Sequence, residues 1–134
     1  MPTFTVPGKP IGQPRHRIAK NGGRYIDANH AIHAFKDLIR LSCKQRHPFE
    51  GPVSVKITAY MPRPAKYEKQ LPPGACPHVW KPDTDNIGKA ILDALNGKAW
   101  LDDSQVNEIT VCKFCVPRGT EPKTIITIEP GGSL

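Results

Sequence analysis

Two aspartates two residues apart, Asp83 and Asp85 in KPDTDNIGKAILDALNG (residues 81–97), are followed by a second acidic pair, Asp102 and Asp103. With Asp93, five of the chain's twelve carboxylates fall within 21 residues of a sequence whose formal charge is +7. On an extended segment Asp83 and Asp85 project to the same side. Asn86, Lys89 and Asp93, spaced three and four, share one face of a helix that begins immediately afterwards. Asp102 and Asp103 return after a short turn, close enough in sequence to be expected at the same spot. Carboxylates gathered in this way repel and raise one another's pKa, and a divalent cation relieves the repulsion. Oxygen-only ligands suit Mg²⁺ or Mn²⁺ rather than zinc. In a basic protein such a cation points to phosphodiester hydrolysis, in which the ion activates water and stabilises charge on the attacked phosphate while lysines hold the backbone. The same residues also have an ordinary structural reading: Asp85 or Asn86 caps the helix, Asp93 pairs with Lys89, and Asp102 with Asp103 makes a turn. An EF-hand loop opening at Asp83 is excluded, because Ile87 and Ala94 fall where oxygen ligands are needed.

The cluster has to be carried by a small set of elements. Ile87, Ala90, Ile91, Ala94 and Leu95 recur at i, i+3, i+4, i+7 and i+8, and Asn96-Gly97 is a stop signal, which predicts a helix after the first two aspartates. Gly88 inside it costs about 1 kcal/mol relative to Ala, and either the close approach of another backbone, DNA's included, or a harmless first-turn glycine accounts for it. Ile32, Phe35, Ile39 and Cys43 predict an earlier amphipathic helix over about residues 29–43, with His33, Lys36, Asp37 and Arg40 on its wet side. Val53 to Met61 alternates cleanly and predicts a strand; Thr3–Val6, Val106–Val116 and Thr124–Glu129 are further strands. Residues 62–82 hold six prolines with no period and read as a long loop, mobile or functional. The order β, α, β, loop, α, β, β predicts one α+β domain over residues 1–134, a small mixed sheet packed by two helices.

Charge is divided unevenly. Residues 1–67 carry twelve Lys and Arg against three acids, and residues 68–134 carry seven against nine, so the basic half implies a polyanionic partner, of which nucleic acid is the usual one. No apolar run approaches the roughly 18 residues of a membrane span, and the opening MPTFTVPGKPIGQPR lacks a signal peptide's apolar core, so no membrane association and a cytoplasmic location are expected. Cys112 and Cys115 form C-x-x-C inside VCKFCV, yet residues three apart on a strand face opposite ways, which argues against shared zinc and for free thiols.

The string KPDTDNIGKAILDALNG, then AWLDDSQV, resembles the signature of the RusA family of Holliday junction resolvases: D-x-D-N-x-x-K-x-x-x-D-A-L followed by D-D-x-Q-V, over about 26 residues from Lys81 to Val106. That family consists of small, dimeric, Mg²⁺-dependent endonucleases that cut four-way DNA junctions in recombination and repair, and many are encoded by phages or prophages. The resemblance implies that Asp83, Asp85 and Asp103 are the essential metal-binding carboxylates, with Asp102 and Asp93 at further acidic positions. It implies that Lys89 acts on the scissile phosphate or leaving oxygen. Branched DNA and a second copy of the chain are the implied partners. Arg15, Arg17, Lys20 and Arg24, with Arg63, Lys66 and Lys69, are candidates for phosphate contacts, and Trp80 and Tyr67 for stacking on unpaired bases. Trp100, beside Leu101, reads as core. Two alternatives stay open: a nuclease acting on flaps or forks, and a non-catalytic junction binder whose acidic cluster serves only the fold.

Overall fold

Strand alternation sets the centre of the molecule. In the strand Val53–Met61 every odd-numbered residue is buried and every even-numbered one is half-buried or exposed, as a pleated strand with one covered face requires. The computed structural model describes residues 3–131. In chain order the strands are β1 (Thr3–Pro7), β2 (Arg17–Ile18), β3 (Arg24–Tyr25), β4 (Val53–Met61), β5 (Cys76–Pro77), β6 (Val106–Cys115) and β7 (Lys123–Pro130). The helices are α1 (Ala31–Ser42) and α2 (Thr84–Leu95). Five strands form one mixed sheet in the order β1-β7-β4-β6-β5, in which β4 and β6 run parallel and the remaining neighbours antiparallel. The parallel pair follows from α2, which lies in the long connection between its strands.

Both helices present the apolar stripes read from the sequence. Ile32, Phe35 and Ile39 of α1 and Ile87, Ala90, Ile91, Ala94 and Leu95 of α2 are buried in one cluster with Val55, Ile57, Ile126 and Ile128 of the sheet. Helix α2 stops where Asn96-Gly97 predicted. Gly97 adopts φ +79°, and its amide donates to the Trp100 carbonyl at 2.8 Å. That tight turn drives Trp100 fully into the core. The start of α2 differs from expectation: Asp83, not Asp85 or Asn86, is the N-cap. Gly88 is explained by β6, since an added Cβ would meet Val111 Cγ2 at 3.3 Å and Ile109 Cδ1 at 3.4 Å. The partner in close approach is a neighbouring strand's side chains rather than DNA.

The proline-rich stretch 62–82 is cross-linked by arginine. Arg63, whose side chain is 6% exposed, donates to both Glu68 carboxylate oxygens and to the carbonyls of Gly74, Val116 and Pro72. Arg118 donates to Glu68 from the other side at 2.8 Å. A 3₁₀ turn at Ala65–Tyr67 and the two-residue β5 give the stretch further regular structure. The basic loop after β1 likewise holds the small β2–β3 hairpin. Strand β5 covers β6 only at Cys115 and Phe114. From Val106 to Cys112 the outer edge of β6 pairs with no described strand. No described helix is long and apolar enough to cross a membrane.

Candidate active site

Asp is among the best N-capping residues because its carboxylate can accept the orphan amides of the first helical turn. Asp83 occupies that position in α2 with extended dihedrals, yet its side chain makes no capping bond. Its carboxylate stands 54% exposed, 3.7 Å from the Lys81 ammonium. Asp85, in the first turn, is 67% exposed, and its carboxylate lies 3.8 Å from Lys89 Nζ one turn on. The start of α2 therefore offers two solvent-facing carboxylates, a lysine, and amides at the positive end of a helix dipole.

Three neighbours shape this corner. The strap 9–16 is pinned to α2 by the Gln13 amide, which donates to the Asn86 carbonyl at 2.9 Å. Gly12 makes this approach possible, since a Cβ there would sit 2.6 Å from Pro82 Cβ. Between strap and helix runs a groove of about 430 Å³ lined by Gln13, Pro14, Arg15, His16, Asn86 and Lys89. On the sheet side, Lys113 of β6 donates to the carbonyls of Trp80 and Pro82, immediately before Asp83. Trp80 stacks on Tyr67 with ring centroids 5.2 Å apart.

The second acidic pair is elsewhere. Helix α2 has twelve residues, about 18 Å at 1.5 Å per residue, and Asp102 and Asp103 follow the turn at its far end. Strand β6 gives the same separation, because it begins just after Asp103 and places Lys113, beside Asp83, seven residues further along, about 23 Å at 3.3 Å per residue. The expected convergence of all four carboxylates does not occur within one chain. Among the described residues no three His, Cys, Asp or Glu side chains are grouped to hold one ion.

Each remaining acid has a local partner. Asp102 Oδ2 accepts the Ser104 amide at 2.9 Å, and Gln105 Oε1 accepts the Asp102 amide, closing a capping box on the 3₁₀ turn Asp103–Gln105. The Ser104 bonds hold the Asp102 carboxyl below its usual range. Asp103 Oδ1 accepts the buried indole N–H of Trp100 at 2.7 Å, the partner such a donor needs. Asp93, expected to pair with Lys89, instead reaches across to Lys36 of α1 at 2.5 Å.

Of the candidate phosphate contacts, Arg15, Arg17, Lys20 and Arg24 are exposed on the strap and hairpin, and Lys66 and Lys69 on the long loop. Arg17 also lies 4.0 Å from Asp27. Arg63 is different: its guanidinium is spent inside the loop it organises. Lys113, Gln13 and Gly12 were not singled out by sequence. For Lys113 there was one signal, a cation on the same strand face as Val111 and Cys115. Cys112 and Cys115 point to opposite faces of β6, and burial pushes the Cys115 thiol up to about 11, the Cys76 thiol beside it adding to the effect. That environment describes an inert thiol rather than a ligand.

Two comparisons bear on this geometry. The family model described as "Endodeoxyribonuclease RusA" matches residues 7–129. The protein YqaN of Bacillus subtilis strain 168, described only as uncharacterized, is 35% identical over 136 residues, covering 94% of this chain and 94% of its own length.

Proposed function

The chain belongs to the RusA endodeoxyribonuclease family, and from that premise we propose that it is a Mg²⁺-dependent endonuclease that resolves four-way DNA junctions by paired cuts in recombination and repair. The observation that carries the reading is the exposed group Asp83, Asp85 and Lys89 on the first two turns of α2, beside a groove edged by Arg15 and His16.

The donor chemistry fits a hard divalent cation in part. Asp83 and Asp85 are carboxylates facing solvent, Asp83 free of the capping bond its position invites, but two carboxylates make an open, weak site. A bound Mg²⁺ would polarise the phosphate and lower the pKa of the attacking water. The chain's own residues do the rest. Lys89 neutralises charge on the phosphate at the helix start, where first-turn amides also favour an anion. Arg15 and the exposed cations of strap and hairpin hold flanking phosphates.

A second copy supplies what one chain lacks. Among the described residues no strand pairs with the outer edge of β6 from Val106 to Cys112, and beside it runs a largely apolar groove that includes Gly88, Leu92, Ile109 and Val111. Pairing two such edges antiparallel about a twofold axis sets the start of one β6 against the end of the other. Asp103 of the partner subunit then approaches Asp83 and Asp85, with its Oδ2 still free. Such a dimer has two equivalent centres, matching a junction of approximate twofold symmetry cut in two opposed strands.

The test is cleavage of an end-labelled synthetic four-way junction, with duplex, flap and fork controls, in Mg²⁺ and in EDTA. Wild type should give symmetric paired cuts in Mg²⁺ alone; Asp85→Asn and Asp103→Asn should each bind without cutting. Co-refolding the two dead variants discriminates further. A shared centre regenerates one intact site per heterodimer and restores nicking, whereas a centre built within one chain stays dead. Junction binding with no cutting in any divalent metal overturns the nuclease reading altogether.

A further inference from the structure

Strand β6 borders the candidate site with a lysine that the reaction above does not use. Lys113 is on the side of β6 that faces the helices, the side of Val111, which packs under Gly88. Its ammonium ends at the N-terminal approach to α2, donating to the Trp80 carbonyl at 2.5 Å and to the Pro82 carbonyl at 2.8 Å. This is an unfavourable place for a cation. Desolvation pulls its pKa below the usual lysine range, with the charge of Asp83 and then the Cys115 thiol opposing, and the helix start carries the repelling end of the dipole. The two carbonyls compensate by accepting charge-assisted hydrogen bonds.

Those carbonyls belong to the residues three and one before Asp83, in the elbow between β5 and α2. Asp83 makes no capping bond to its own helix, so its direction is inherited from the elbow. The elbow has few other ties to the sheet. The last ladder bond before it is the His78 amide to the Lys113 carbonyl at 3.2 Å, so Lys113 holds it at both its backbone and its ammonium.

We infer that Lys113 is a positioning residue for Asp83: by clamping the carbonyls of Trp80 and Pro82 it sets the direction from which Asp83 meets the divalent cation. The inference rests on the nuclease reading above for its activity readout and on geometry alone for its structural one. Groups that orient a metal-binding side chain typically change metal affinity or activity by about 10- to 100-fold when removed.

The experiment compares wild type, Lys113→Met and Lys113→Arg in three measurements: amide hydrogen exchange over residues 80–86 of the free protein, the Mg²⁺ concentration for half-maximal cleavage, and junction affinity in EDTA. In Lys113→Met, exchange in the elbow should rise while that of α1 and β4 stays put. The Mg²⁺ requirement should rise about 10- to 100-fold, with junction affinity unchanged. Lys113→Arg, which can still donate to both carbonyls, should recover most of both effects. If Lys113→Met does not fold, Lys113→Gln, with one amide donor pair, should show the same effects in smaller measure. An unaltered Mg²⁺ requirement in a folded variant overturns the inference, as does an elbow whose exchange is unaltered. Should wild type fail to cut any junction, the nuclease reading falls while the exchange measurement still decides the clamp.

Discussion

Two aspartates one bond apart in the chain show how differently one residue type is used. Asp102 closes a capping box and is held below the ordinary carboxylate range by Ser104; Asp103 serves the buried indole of Trp100 with one oxygen and keeps the other. Because the folded pKa of Asp102 is the lower one, the unfolded chain binds the proton first. Its stabilisation is therefore complete above the unfolded value and is lost as pH falls through the depressed one. Asp102→Ala should unfold at lower urea than wild type at pH 7, and the gap should narrow as pH drops below 4. Asp102→Asn, which can still accept the Ser104 amide, should stay near wild type at pH 7 and retain junction cleavage. Loss of cleavage in a folded Asp102→Asn would move this residue from the turn into the metal set. The sequence showed that carboxylates were gathered here, but not which were committed to caps and indoles. Trp100 read as core, but the meeting of its indole with Asp103, and of Lys36 of α1 with Asp93, depends on tertiary packing that spacing inside the motif does not show.

The apolar stripe and the Asn-Gly stop of helix α2 were legible and its Asp83 N-cap was not, while its length held the information needed to separate the two acidic pairs. The helix has twelve residues, a length of about 18 Å with the first pair at its start and the second beyond its end, which the expectation of convergence overlooked. What no local pattern could reveal is the strap. Residues 9–16 have the glycine and proline content of a loop, and only tertiary packing lays them on the helix. Gly12 is the contact point. A methyl group there would meet the Pro82 ring at 2.6 Å, and a proline ring cannot rotate away. Gly12→Ala should therefore push the strap off α2, destabilising by about 1–3 kcal/mol as overpacking does, with weaker junction binding because the groove beside Arg15 opens. Urea denaturation and junction titration of the same variant check both halves. A stable variant with wild-type affinity would mean that the strap's seating on α2 is irrelevant to DNA. The long loop 62–82 was legible as mobile or functional, but its cross-linking was not, because Arg63 finds its carbonyl partners 9, 11 and 53 residues away in sequence.

At the scale of the whole molecule, charge asymmetry was legible from composition, and the α+β class from element order. The parallel β4–β6 pair was not, since it depends on where α2 crosses. The asymmetry also sorts the cations by use. Arg15, Lys20, Arg24, Lys66 and Lys69 are exposed, whereas Arg63 is spent on Glu68 and on loop and strand-end carbonyls. Each exposed cation that meets a phosphate releases condensed counterions on binding, so its removal should lower the slope of log K against log salt by about one. Replacing Arg63 by Ala should leave that slope unchanged. It should instead lower the denaturation midpoint, because three carbonyls lose their Arg63 donor together and Glu68 is left with Arg118 alone. Titrating a four-way junction in EDTA at several salt concentrations, alongside urea curves for each variant, separates the two classes. A reduced slope with intact stability in Arg63→Ala would mean that the guanidinium leaves its loop to meet DNA, making the 62–82 segment an arm that reorganises on the substrate. An unchanged slope with reduced stability would make it a fixed wall, holding the Tyr67–Trp80 stack and the approach to Asp83 in place before DNA arrives.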